Sequence, residues 1–236
     1  MSIGLSIVFK KAASDTRPAW VILVAMIALT QFYYWTRADT IGVTAAGRSW
    51  QVMTSQPVSM LGHNLAAGLL LGLIPLLCAR RLCGLGFRDL GLGFGRPRRG
   101  LAWLAVGIPL AVLAAKLASA QPAMRAVYPL ESGLTTETGP FAKHVGLQFI
   151  YYSAWEILFR GILLYGLKEK FGFASANIIQ TALSVVAHFG RPFAETASAI
   201  PAGLSFGGIA RQTGSVWYVV IIHWVLGAAL DWFIVG

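Results

Sequence analysis

Charge is what this chain lacks. Charged residues make up 12% of its 236 positions, against about 25% in an average soluble domain. Acidic residues are the scarcest, with 9 Asp+Glu against 19 Lys+Arg. Cysteine is nearly missing, with only Cys78 and Cys83. Their spacing is too wide for a zinc knuckle and no histidine lies near, so they read as ordinary thiols at the inner membrane face. A cleavable signal peptide is not expected either. Lys10 and Lys11 precede the first apolar run, but that run is long and has no small-residue cleavage pattern. Together these shortages exclude a disordered chain, a soluble nucleic-acid module and an ordinary cytosolic enzyme.

What fills the space is hydrocarbon. Hydrophobic residues are 56% of the chain, and the mean hydropathy is +0.66. A membrane span needs about 20 mostly apolar residues. Apolar runs fall at about 18–36, 57–78, 101–118, 145–167, 173–189, 196–210 and 215–235. The expected fold is therefore all-α, a polytopic membrane helix bundle of about seven transmembrane helices with short loops. The sixth run is rich in Gly and Ala, which lets helix backbones approach closely.

Orientation follows from counting Lys and Arg. With the N-terminus inside, the inner segments carry 12 of them, from Lys10, Lys11 and Arg17 through Arg80, Arg81, Arg88, Arg96, Arg98, Arg99, Lys168 and Lys170 to Arg211. The outer segments carry 5, namely Arg37, Arg48, Arg125, Lys143 and Arg191. The reading is a multi-pass protein of a bacterial inner membrane, N-terminus inside. The formal charge of +10 is then a topology signal. Membrane lipid is the expected partner and nucleic acid is not, because the basic residues follow the inner loops and form no groove of their own.

The informative residues are ionisable groups inside apolar runs, each costing a few kcal/mol at the bilayer centre. Glu156 and Arg160 stand four apart on one helix face and can pair. His188 ends the fifth run, and Glu195 follows seven residues later. His223 lies mid-span, with Asp231 about two turns on along the same face. At a rise of about 1.5 Å per residue, Glu156 and His223 both lie roughly 17–18 Å below the outer ends of their spans. They can share a level. His188 joins them only if its helix sits deeper and the 190–195 stretch dips into the protein, where protein or water must satisfy the backbone. Two histidines, carboxylates and an arginine are the parts needed to activate a water: a base, and imidazoles to orient the water and stabilise an oxyanion.

Three blocks in order resemble the CPBP family, which holds CAAX prenyl endopeptidases and bacteriocin-processing or abortive-infection membrane proteins. They are Glu156-Ile157-Leu158-Phe159-Arg160-Gly161, the helix ending in His188, and Gly203, Gly207, Gly208, Thr213-Gly214-Ser215 and His223. The upstream stretch Phe87–Gly93 is also similar to a segment of that family. The resemblance divides the chain into N-terminal spans with a basic inner loop (1–143) and a site-bearing core (144–236). It implies a glutamate-dependent intramembrane endopeptidase acting on a membrane-associated or lipidated peptide or protein, without a cofactor. In that family a Glu-Glu pair precedes the Arg, and an Asn follows the second His by one turn. Here those places hold Trp155 and Gly227. Two assignments of the base are therefore open: Glu156 after a small helix rotation, or Glu195 swinging in beside His188. Asp231 could partly replace the Asn.

Rival readings use the same residues. A catalytically degenerate member would bind a membrane partner or substrate without hydrolysis. Two His and a carboxylate also make an inventory for zinc, though there is no His-Glu-x-x-His helix. A proton-coupled transporter would use buried Glu and His as well, but no inverted repeat is visible.

Overall fold

The computed structural model describes the backbone of residues 2–36, 40–45, 48–53 and 59–236, and the side chains of 16–36 and 59–236. Lys10, Lys11, Arg37 and Arg48, part of the charge count above, have side chains outside the described residues. Helix α1 runs Ser2–Thr36. A hairpin follows, β1 (Thr40–Ala45) pairing antiparallel with β2 (Arg48–Met53). The apolar-run pattern has no strand in this connection. One hairpin does not alter the class: the protein is an all-α membrane bundle.

The second rod is α2 (Met60–Ala67), a π-helical stretch π1 (Gly68–Leu73) and α3 (Ile74–Cys83). Helix α4 runs Pro97–Ser119 and is followed by the single turn α5 (Pro122–Arg125). The fourth rod is α6 (Thr138–Glu156) continuing as π2 (Ile157–Tyr165). Helix α7 spans Gly166–Ala187, broken at Gly172, whose φ of 75° leaves the helical region. Glycine takes this conformation at no Cβ cost, so the chain turns there and the fifth rod begins just after it. Helices α8 (Phe193–Thr213) and α9 (Trp217–Val235) complete seven rods among the described residues. They match the seven apolar runs.

Four rods are long and apolar enough to cross a membrane on composition alone: Thr16–Thr36, Met60–Cys83, Pro97–Ser119 and Trp217–Val235. The other three carry most of the buried polar groups, which lowers their hydropathy. Burial explains how they are tolerated. Leu158, Phe159, Ile162 and Leu163 of π2 are all fully buried, so the fourth rod is the axis of the bundle, covered by protein on every side at this level. Lipid meets the outer rods instead. Leu101, Leu110, Leu113 and Leu117 of α4 are more than half exposed, as a lipid-facing surface should be.

Small residues set the close packing. A Cβ on Gly203 would stand 2.7 Å from the Thr181 side chain, and one on Gly207 only 1.8 Å from Asn177 Oδ1. At this contact Asn177 Nδ2 donates to the Leu204 carbonyl (3.0 Å), and Gln180 Nε2 to the Gly203 carbonyl (3.0 Å). The glycine-rich helix thus packs against α7 as its composition implied.

The loop between α3 and α4 is tied to the α8–α9 turn. Arg96 N donates to Thr213 O, Val216 N to Gly91 O and Trp217 Nε1 to Leu92 O, at 2.6–3.0 Å. Cys78 and Cys83, near this end, are free thiols.

Candidate active site

The fourth rod carries a polar stripe. His144, Gln148, Tyr152 and Glu156 recur every four residues, and Arg160 follows at the same interval. This spacing keeps them near one helix face. Helix α9 runs the opposite way alongside, with His223, Gly227 and Asp231 on its own four-residue stripe. The two stripes meet rung by rung.

At the deep end Glu156 is fully buried. Its Oε1 accepts from Arg160 Nη1 at 3.1 Å and lies 2.6 Å from His223 Nδ1. Glu156 Oε2 and Arg160 Nε have no partner among the described residues. A carboxylate on Nδ1 fixes the orientation of the imidazole and leaves Nε2 for the cavity. At the next rung Tyr152 packs on the His223 ring, with centroids 4.6 Å apart. A Cβ on Gly227 would lie 1.9 Å from the Tyr152 hydroxyl. The phenol therefore occupies the space a side chain at 227 would need. At the shallow end Asp231 Oδ2 accepts from Gln148 Nε2 (2.6 Å) and lies 2.8 Å from His144 Nε2. His144 Nδ1 in turn reaches Glu131 Oε2 at 2.7 Å. Asp231 is 1% exposed, so it is a bonded core group and not one wetted by headgroups.

The other side of the site comes from the α7–α8 corner. His188 caps α7 and its Nδ1 lies 2.7 Å from the Ser184 carbonyl. Carbonyls only accept, so Nδ1 carries the proton and Nε2 is free. Thr196 Oγ1 donates to the His188 carbonyl at 3.0 Å, which holds the corner folded inward. Glu195, in the first turn of α8, accepts from the Tyr128 hydroxyl at 2.8 Å through Oε1, while its buried Oε2 has no partner. Burial pushes the Tyr128 phenol well above its usual range, so it stays a donor. Trp155 is 2% exposed and sets its ring edge-on to His188, centroids 5.3 Å apart.

Two adjoining cavities result. A small one of about 70 Å³ and a larger one of about 360 Å³ are both lined by Tyr152, Trp155, His188, Glu195 and His223. Asp231 lines only the small one and Arg160 only the large one. Glu156 lines neither and stands behind His223. The fifth helix and the 190–195 stretch thus make the inward approach that joining His188 to His223 required. No group of three or more His, Cys, Asp or Glu among the described residues is arranged to hold a metal ion.

Residues 145–229 match the family model described as type II CAAX prenyl endopeptidase Rce1-like. The helices carrying the site are similar to that family. No curated protein and no solved structure matches. The Rce1-like stretch covers a little over a third of the chain and contains Glu156, Arg160, His188, Glu195 and His223. This agrees with the CPBP resemblance over the helices that carry the site. His144 and Asp231 fall just outside the Rce1-like stretch. His144, Gln148, Tyr128 and Tyr152 are the site residues that the sequence reading missed. The four-residue polar stripe of α6 was the signal that could have found three of them.

Proposed function

We propose that the protein is an intramembrane, glutamate-dependent endopeptidase that cleaves a membrane-associated or lipidated peptide. The observation that carries this reading is one cavity between buried helices, lined by a carboxylate with a free oxygen and two imidazoles held by their Nδ1 atoms. Glu195 is assigned as the base, because its unpartnered oxygen shares the cavity with both histidines. Glu156 positions His223 from behind and does not meet the substrate, while Arg160, paired with Glu156, borders the larger cavity.

The reaction is written without a metal. His188 Nε2 accepts one hydrogen of a water molecule and Glu195 takes the other proton. The hydroxide attacks the scissile carbonyl carbon. The carbonyl oxygen, now anionic, accepts from the Tyr152 hydroxyl, a donor fixed in place before reaction. The C–N bond then breaks, and the leaving amine takes the proton from Glu195. One water is consumed, giving a new carboxylic acid and a new amine, and the acid's proton passes to the amine to leave a carboxylate and an ammonium. Trp155 fills the wall toward His188 and limits the width of the bound chain.

The test is hydrolysis by detergent-purified protein of candidate membrane-anchored peptides, comparing wild type with Glu195→Gln, His188→Ala and His223→Ala. Loss of activity in all three supports the reading. Equal turnover by all four proteins ends it.

A further inference from the structure

Both cavities lie at one end of the bundle. The small one is bordered by Met60 and His63 at the start of α2, Leu130 in the α5–α6 connection, and Arg191 in the α7–α8 turn. The larger one extends sideways among α4, α8 and α9, past Ala114, Ala118, Ala202 and Leu226. Its outer lip is Leu117, 64% exposed on the lipid-facing side of α4. An apolar slot of this kind admits hydrocarbon from the bilayer.

The basic residues gather at the opposite end. Of the Lys and Arg with described side chains, ten lie there, among them Arg80, Arg81, Arg98, Arg99 and Arg211. Lys116, Arg125, Lys143 and Arg191 are the four at the cavity end, and Arg160 is between. Contacts fix this grouping: Arg17 pairs with Glu169 at 3.4 Å, and Arg96 Nη1 donates to the Gln212 carbonyl at 3.0 Å. Short segments rich in Lys and Arg stay in the cytoplasm.

We infer that the site opens to the extracytoplasmic side, so that its substrate is a membrane-anchored peptide segment displayed outside the cell and entering laterally between α4 and α8. This rests on the peptidase reading for the chemistry. For the sidedness it rests only on the charge asymmetry and the position of the cavities. A chain anchored at the cytoplasmic face would have to cross the bundle axis, filled by Phe159, Ile162 and Leu163, to reach His188.

Two measurements test it in intact cells producing the full chain with Cys78 and Cys83 replaced by Ser. First, Ser132→Cys, in the α5–α6 connection, and Phe94→Cys, in the α3–α4 loop, are treated with a membrane-impermeant maleimide. Labelling of Ser132→Cys at least tenfold above Phe94→Cys is expected, and the reverse overturns the inference. Second, libraries of single-span reporters with randomised juxtamembrane segments are displayed outward or inward. Cleavage at least tenfold greater for the outward library is expected. Cleavage confined to the inward library overturns the sidedness while leaving the peptidase reading intact. Cleavage of neither counts against the peptidase reading, and photocrosslinking from p-benzoylphenylalanine at Leu117 then decides the sidedness. A crosslink to the outward library supports it, and a crosslink only to the inward library, or to none, overturns it.

Discussion

Three side chains decide whether this site works as a peptidase. Glu195 is assigned as the proton acceptor, and general-base catalysis contributes about 10²–10⁴-fold. Glu195→Gln should therefore lower kcat by at least about 10²-fold, with thermal unfolding in detergent little changed. Tyr152→Phe removes one oxyanion donor and should cost about 10²-fold in kcat with KM unchanged. A purely packing role would instead shift the unfolding midpoint and leave kcat alone. Glu156 differs, being buried in a pair with Arg160 and His223. Glu156→Gln leaves the Arg160 charge, 2% exposed, without its counter-ion, and breaking such a buried pair costs about 3–5 kcal/mol. Its signature is lost stability together with lost activity. An unfolding midpoint matching the wild type would contradict the positioning role.

At the scale of elements, the meeting of α6 with α9 builds the site. Their stripes run antiparallel, so His144 and Gln148 meet Asp231 and Glu156 meets His223 across the contact. Gly227 is the open rung. Gly227→Ala places a methyl where the Tyr152 hydroxyl stands and should displace the phenol. The variant's kcat should fall to within a few-fold of Tyr152→Phe, and wild-type turnover would show that the phenol is not needed there. The α7–α8 contact answers to the same logic. Gly207→Ala drives a methyl into Asn177 and should destabilise by about 1–3 kcal/mol, read as a lower unfolding midpoint. The seven rods were legible beforehand, because apolar runs are local signals. The hairpin over 40–53 was not, since six-residue strands leave only a short pattern in a polar connection.

For the molecule as a whole, the bundle is turned inside out relative to a soluble fold. Leucine faces outward on α4, and charged and amide side chains are held near the axis. A polar site is tolerated there because its groups are buried among protein groups and water-sized cavities, away from lipid. The metal-free mechanism is a claim at this scale too, since a cation would have to draw ligands from several rods at once. Chelator dialysis should leave hydrolysis within about twofold, and elemental analysis should find substoichiometric zinc. Stoichiometric, chelator-resistant metal would require the mechanism to be rewritten.

Composition and periodicity by themselves determined that this chain is a helical membrane bundle, and residue order alone pointed to Glu156, Arg160, His188 and His223, because hydropathy and motif spacing are properties of neighbouring residues. Only the tertiary structure decided which groups face the cavity. It set Glu156 behind His223, brought Glu195 beside His188, drew Asp231 to His144 and put the Tyr152 phenol over Gly227. These are contacts between helices distant in the chain, and their register depends on how rods pack against one another, which no local pattern encodes.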